Sequence, residues 1–235
     1  LQGVREYDRY GGFAVSKAEL VRRYVLFLFG LFVNSLGIAL TTRANLGTSP
    51  ITSVPYVLSI RFPPSLGMFT LFFSLLLIAI QLIILGKRFP KQFLLQLPVI
   101  PIFSVFIDLS MALFWFVDPQ TYPAKVCSLL LGCPVLGFGV FIEVAANVVM
   151  LPGECTVKAI STRWNTNFGK TKVAVDVTMA ATAAVLGLLL FHTLTGVREG
   201  TFISALLVGT IARLFGRLIG APVQALLRSR QLSQA

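Results

Sequence analysis

Four acidic side chains fall where a strongly apolar sequence has little use for them: Asp108, Glu143, Glu154 and Asp176. A charge at the centre of a bilayer costs about 2.5–3.5 kcal/mol on insertion scales, so each needs a partner or a task. Carboxyl groups in such places hold cations, carry protons, or pair with a basic residue. Two unusual stretches lie among them. Leu46-Gly47-Thr48-Ser49-Pro50 sets small residues, hydroxyls and a proline ahead of a short segment, residues 51–60. Leu151-Pro152-Gly153-Glu154-Cys155-Thr156 does the same ahead of residues 157–164. Each segment lies between long apolar runs and is too brief to cross a bilayer. Free backbone N–H groups and the positive dipole end at such a break favour an anionic group. Gly47, Thr48, Ser49, Pro50, Gly153, Glu154, Cys155, Thr156 and Lys158 are therefore the candidate substrate-binding residues. Asp108, Glu143, Asp176, Arg213 and Arg217 are the candidate coupling or intramembrane charges.

Depth along the chain sorts the acids. Asp176 and the pair Arg213 and Arg217 fall at similar depth near the inner ends of two spans, which predicts an ion pair. Glu143 lies one helical turn from Asn147, and both would face the second break. Asp108 falls in an outer half, where Arg43, Arg198 or the N–H groups of the first break are its natural partners. Glu154 sits inside the second break, where it would ligate a cation, carry a coupling proton, or cap the helix that follows. Lys158, one turn further on, would pair with Glu154 or meet an anionic substrate. Ser49 and Pro50 together read as the N-cap and first residue of a helix.

Other chemistry is weakly represented. His192 is the single histidine, near a span end, and reads as interfacial rather than as a proton relay. Cys127, Cys133 and Cys155 form no CxxC pair, which argues against a disulfide framework or a zinc site and for small packing residues. No HExxH, GxxxxGK[ST] or GxSxG motif occurs, and no nucleophile stands beside a base. An enzyme, a cofactor and a metal site are not expected.

The elements that must position these residues are membrane helices. The 235 residues are 56% hydrophobic and only 12% charged, with a mean hydropathy of +0.84, which excludes an ordinary soluble domain. Uncharged runs cover 24–42, 62–86, 126–142 and 177–197; two more, 92–117 and 200–222, are interrupted by Asp108 and by Arg213 and Arg217. Six transmembrane helices are predicted at 24–42, 66–85, 93–116, 125–150, 172–194 and 200–224. Pro98 and Pro101 predict a kink in the third, and Gly132, Gly137 and Gly139 a weak fourth. No cleavable signal is visible. A net charge of +11 would suit nucleic acid, but its placement argues otherwise. With the N-terminus in the cytoplasm, Arg5, Arg9, Lys17, Arg22 and Arg23, then Lys87, Arg88 and Lys91, then Lys158, Arg163, Lys170 and Lys172, then Arg228 and Arg230 all fall inside. Only Arg43, Arg61, Lys125 and Arg198 fall outside. That is the positive-inside pattern. Both termini are expected in the cytoplasm, with the basic side facing anionic lipids and no nucleic acid involved.

The order of parts repeats: long helix, break with short helix, long helix, long helix. Residues 1–23 form a cytoplasmic lead-in, 24–116 one repeat, 125–224 the other, and 225–235 a tail. Three crossings per repeat is an odd number, so the second copy enters from the opposite side. This is an inverted-topology repeat of the kind that places substrate sites where broken helices meet. Non-helical backbone at depth survives only inside protein or beside water, so two breaks imply a cavity unless both lie on the surface. Gly30 and Gly37 share one face of the first helix and would serve internal packing or a homodimer.

The residues also resemble a known family. Leu46-Gly47-Thr48-Ser49-Pro50 with Pro55-Tyr56-Val57-Leu58-Ser59, Ser65-Leu66-Gly67, Phe106-Ile107-Asp108, Pro152-Gly153-Glu154 with Lys158-Ala159-Ile160-Ser161, Phe168-Gly169-Lys170 with Lys172-Val173 and Asp176, and Gly196-Val197-Arg198-Glu199-Gly200-Thr201 carry the likeness. Over roughly residues 24–220 the chain resembles the YczE/YyaS/YitT family of bacterial integral membrane proteins, the YczE type above all. Cys155 departs from it, standing where the family's break suggests glycine. The resemblance implies a multi-pass protein of the bacterial inner membrane and says little about a substrate. The expected function is secondary transport of a small polar, anionic solute. A membrane-embedded regulator or scaffold, or a lipid scramblase or flippase, is the alternative.

Overall fold

In the computed structural model, residues 17–193 and 195–227 are described, and their regular structure is helical. The eight α-helices are α1 (Lys17–Arg43), α2 (Pro50–Arg61), α3 (Leu66–Leu85), α4 (Gln96–Leu113), α5 (Tyr122–Ala146), α6 (Pro152–Trp164), α7 (Phe168–Phe191) and α8 (Glu199–Leu227). Two 3-10 turns, Gly86–Arg88 and Lys91–Leu95, lead from α3 into α4. Six helices are long and apolar enough to cross a membrane, and α2 and α6 are not among them. The expected lead-in and tail fall largely on residues 1–16 and 228–235, outside the described residues; Lys17–Arg23 is already helix.

The centre of the bundle is a seam between α1 and α5. In a bilayer, apolar side chains gain nothing by leaving lipid for protein, so helices associate through close packing and hydrogen bonds. Gly30 and Gly37 on α1 face Ile142 and Leu136; Gly132 and Gly139 on α5 face Thr41 and Asn34. At Gly37 a Cβ would overlap the Leu136 backbone, and at Gly139 the backbone of Asn34. The glycines of α5 thus do not weaken a helix that runs unbroken from Tyr122 to Ala146. They bring it into contact, Gly132 and Gly139 with α1 and Gly137 with α8.

Around the seam, α4 packs on α1 and α3, and α8 packs on α5. Pro98 lies in the first turn of α4, where an N–H has no intrahelical partner anyway. The short helices cross between halves: α2 lies on α7, and α6 lies on α3. Val54 and Val57 of α2 meet Ala180 and Ala183 of α7 in one apolar cluster.

One interval, 102 residues, relates the two halves. It separates Pro50 from Pro152 and Leu66 from Phe168, each the first residue of its helix. It separates Asn45 from Asn147, both left-handed, with φ of 53° and 51°. It also separates two side-chain N-caps, Ser65 on Met68 N and Asn167 on Gly169 N and Lys170 N. In this register Pro50 matches Pro152, so Gly47-Thr48-Ser49 matches Val149-Met150-Leu151 and has no hydroxyl counterpart. The second break therefore differs from expectation. It covers residues 147–151, and Pro152 to Thr156 form the start of α6. Proline fits the first position of a helix, where its missing N–H is not needed.

Candidate functional site

The two short helices begin next to each other. Gly153, second residue of α6, lies directly against the Ile51 side chain, second residue of α2. Polar side chains gather around each start. At α2, Thr48 Oγ1 lies 3.2 Å from Thr42 Oγ1 and 2.9 Å from Thr52 Oγ1, and Thr52 Oγ1 lies 2.8 Å from Ser49 Oγ. Thr42, Thr48 and Thr52 are all buried. Ser49 holds the N-cap position but its side chain makes no cap bond. The Ser49 hydroxyl bonds the Thr52 hydroxyl instead. Gly47, at φ +95°, packs so closely on Thr201 and Arg198 that a side chain there would collide. Gly200 N donates to Leu46 O at 2.8 Å. The first break is thus stitched to the start of α8.

At α6, Gln81 Nε2 donates to Pro152 O at 3.0 Å and to Thr156 Oγ1 at 3.1 Å, and Gln96 Nε2 donates to Gln81 Oε1 at 3.2 Å. Both glutamines are buried, and among the described residues Gln96 Oε1 has no partner. Sequence reasoning named neither glutamine as a candidate; amides in apolar helices were the available signal. Cys155 and Thr156 are buried as well.

The acids take partners other than those expected. Asp108 Oδ2 accepts from Ser65 Oγ at 2.6 Å and Oδ1 from Gly67 N at 2.8 Å. It caps the start of α3, not the first break. Arg43 bonds instead to Met111 O, at 3.0 Å. Asp176 pairs with Lys172, one turn earlier on the same helix, at 2.8 Å. It does not pair with Arg213 or Arg217, because α8 packs on α5 and leaves α7 aside. Glu143 Oε1 accepts from Asn34 Nδ2 at 2.7 Å across the buried seam. Asn147 ends α5 as a left-handed C-cap. Glu154 does not cap α6, whose N-cap is Leu151; it lies in the first turn, where a carboxylate suits the helix dipole. Burial raises the Glu154 pKa above the ordinary carboxylate value, which Lys172 opposes and Asp176 reinforces. Lys158 reaches Met150 Sδ at 4.0 Å and sits 5.9 Å over the Phe93 ring, so its ammonium meets an aromatic face where a carboxylate was expected. Arg198 and Glu199 pair locally at 3.5 Å.

Beside the first break a cleft of about 860 Å³ opens at the Arg43 end of α1. Its lining includes Arg43, Asn45, Tyr56, Ser59, Ser65 and Asp108. Arg43 has its Nε buried without a partner among the described residues. Sequence reasoning had treated it only as a partner for Asp108. Replacing Asp108 by leucine should strip Ser65 and Gly67 of a charged acceptor. A loss of about 2–3 kcal/mol in unfolding stability in detergent is expected. Asparagine, keeping one acceptor oxygen, should lose roughly half as much.

Compared with known protein families, residues 21–217 match one described as a family of unknown function, DUF6198. The chain belongs to DUF6198. This DUF6198 member is similar to "Uncharacterized membrane protein YczE" of Bacillus subtilis (strain 168), with 28% identity over 201 residues, 84% of this chain and 86% of that relative. No solved structure matches. Family and fold together make the DUF6198 chain a multi-pass membrane protein.

Proposed function

We propose that this DUF6198 protein is a secondary carrier of a small polar, anionic solute, set in the bacterial inner membrane with both termini cytoplasmic. Its six spans are read as two inverted three-helix repeats, and α2 and α6 as re-entrant helices entering from opposite faces. The observation that carries this reading is the contact between Ile51 and Gly153, which sets the two short helix starts together with buried hydroxyls and amides around them. Hydrocarbon cannot satisfy such groups, and a chain concerned only with spanning has no reason to keep them. The spacing shared by the halves supports the repeat, and the skew of basic residues supports the orientation.

In this reading the solute first binds outside the two helix starts. Thr48 and Thr156 are buried and already bonded to neighbours. The open cleft lined by Arg43, Tyr56 and Asn45 reaches Thr42, which bonds Thr48, and a guanidinium suits a carboxylate or phosphate.

The test is uptake into proteoliposomes of a panel of labelled small carboxylates and inorganic phosphate, with and without a pH gradient. The wild type should accumulate at least one of them. Arg43→Gln should lower the initial rate about tenfold or more, since a desolvated charge pair is lost, whereas Arg163→Gln, remote on the exposed end of α6, should not. A wild type that moves nothing in the panel sinks the proposal.

A further inference from the structure

Among the described residues, helix α8 turns one face into the bundle and leaves the other bare. Val208, Ile211, Phe215 and Ile219 pack toward α5. Gly209, Arg213, Arg217 and Gly220 recur at helical spacing on the opposite side. Arg213 and Arg217 are exposed, and a side chain at Gly209 or Gly220 would meet nothing within 4 Å. Leu206, Leu214 and Leu218, also exposed, flank the row.

The row lies at membrane depth. Ile211 rests on Gly137, well inside the span of α5. Arg22 Nη1 reaches Leu226 O at 3.4 Å, which ties the end of α8 to the basic start of α1. Counting 1.5 Å per residue, Arg217 stands about 13 Å and Arg213 about 20 Å of helix above that point, within a hydrocarbon layer about 30 Å thick. Arg213 turns back on its own helix, to Gly209 O at 3.1 Å and Thr210 Oγ1 at 3.4 Å. Among the described residues neither guanidinium is in an ion pair. Two uncompensated cations cannot simply face acyl chains.

We infer that this face of α8 binds the phosphate of an anionic phospholipid drawn from the leaflet at the Arg23 end. The charge requires it: both groups on the row are cations, one turn apart, and the row runs toward Arg22 and Arg23. Arg217 can snorkel toward that leaflet to take the phosphate, Arg213 extends the positive field above it, and the absent side chain at Gly220 leaves room for a headgroup and its glycerol. The flanking leucines accept the acyl chains. A second copy seated here by a two-fold axis would oppose guanidinium to guanidinium, and a foreign helix would need carboxylates at two levels. The inference does not depend on solute carriage.

The test uses the full chain in nanodiscs of phosphatidylcholine with a minor fraction of spin-labelled phosphatidylglycerol, or of spin-labelled phosphatidylcholine for reference. Wild type should immobilise the anionic label in clear preference to the neutral one. Arg213→Gln and Arg217→Gln should each reduce that preference by up to about fivefold, the worth of one basic residue near an anionic surface. Arg213→Lys with Arg217→Lys should keep most of it, which guards against a folding defect. Lys87→Gln with Arg88→Gln, removing equal charge from the basic side but off this row, should reduce it less than the α8 pair does. Equal immobilisation of both labels by wild type overturns the inference. So does a preference that survives both glutamines, or a dimer that the glutamine variants dissociate.

Discussion

Replacing Gly37 by valine should destabilise the protein more than any other single change considered, by about 3 kcal/mol or more in unfolding from detergent micelles. The reason is geometric. A Cβ at Gly37 falls on the backbone of Leu136, not on a side chain that could rotate away. Relief requires α1 and α5 to separate. That would weaken the Asn34–Glu143 bond on the same seam and the Ser35–Ser110 bond that holds α4 to α1. By contrast Gly209→Val, on an open face, should leave the unfolding midpoint within the ordinary range for surface changes. A Gly37→Val protein as stable as wild type would mean that the central seam is not as close as drawn.

Glu143→Gln should separate structure from work. The glutamine keeps an oxygen for Asn34 Nδ2 and nearly the same volume, so stability should change by less than about 1 kcal/mol. Glu143→Leu removes that acceptor and leaves the Asn34 amide buried without a partner, which should cost about 1–3 kcal/mol. If Glu143 is the group that carries a coupling proton, the glutamine variant should still bind solute and exchange it across the membrane while losing its response to a pH gradient. Exchange and net uptake measured on the same proteoliposomes distinguish these. An unaltered gradient response in Glu143→Gln would move the coupling role elsewhere, with Glu154 the next acid to examine, since it lies at the start of α6.

Much of the scaffold could be read from composition and periodicity. The six spans, the two short helices, Pro50 at a helix start and the shared face of Gly30 and Gly37 all follow from local rules, and the structure has them. Helix pairing was another matter. The sequence placed Asp176 and the arginines of α8 at similar depth, and depth was all it offered; whether they meet depends on which way α8 is rotated and what it leans on. Lys172, four residues from Asp176, was the nearer partner by simple helix geometry. For Asp108 the sequence offered Arg43, Arg198 or the first break; a helix start at Leu66 was already legible, but not that α4 lies along α3 and brings Asp108 to Ser65 and Gly67. The start of α6 was placed late because proline and glycine were both taken as breakers. Asn147, a left-handed residue closing α5, is the marker that would have shifted the boundary.

The crossing of α2 onto α7 and of α6 onto α3 has a bearing on how the chain can be divided. Each half hands its short helix to the other, so neither holds a complete set of neighbours. A polypeptide severed in the turn between α4 and α5 would yield two fragments with bare grooves, each wanting what the other carries. Made together, they could reassemble a working whole; made singly, each would be left with an unfilled seat and an orphaned helix.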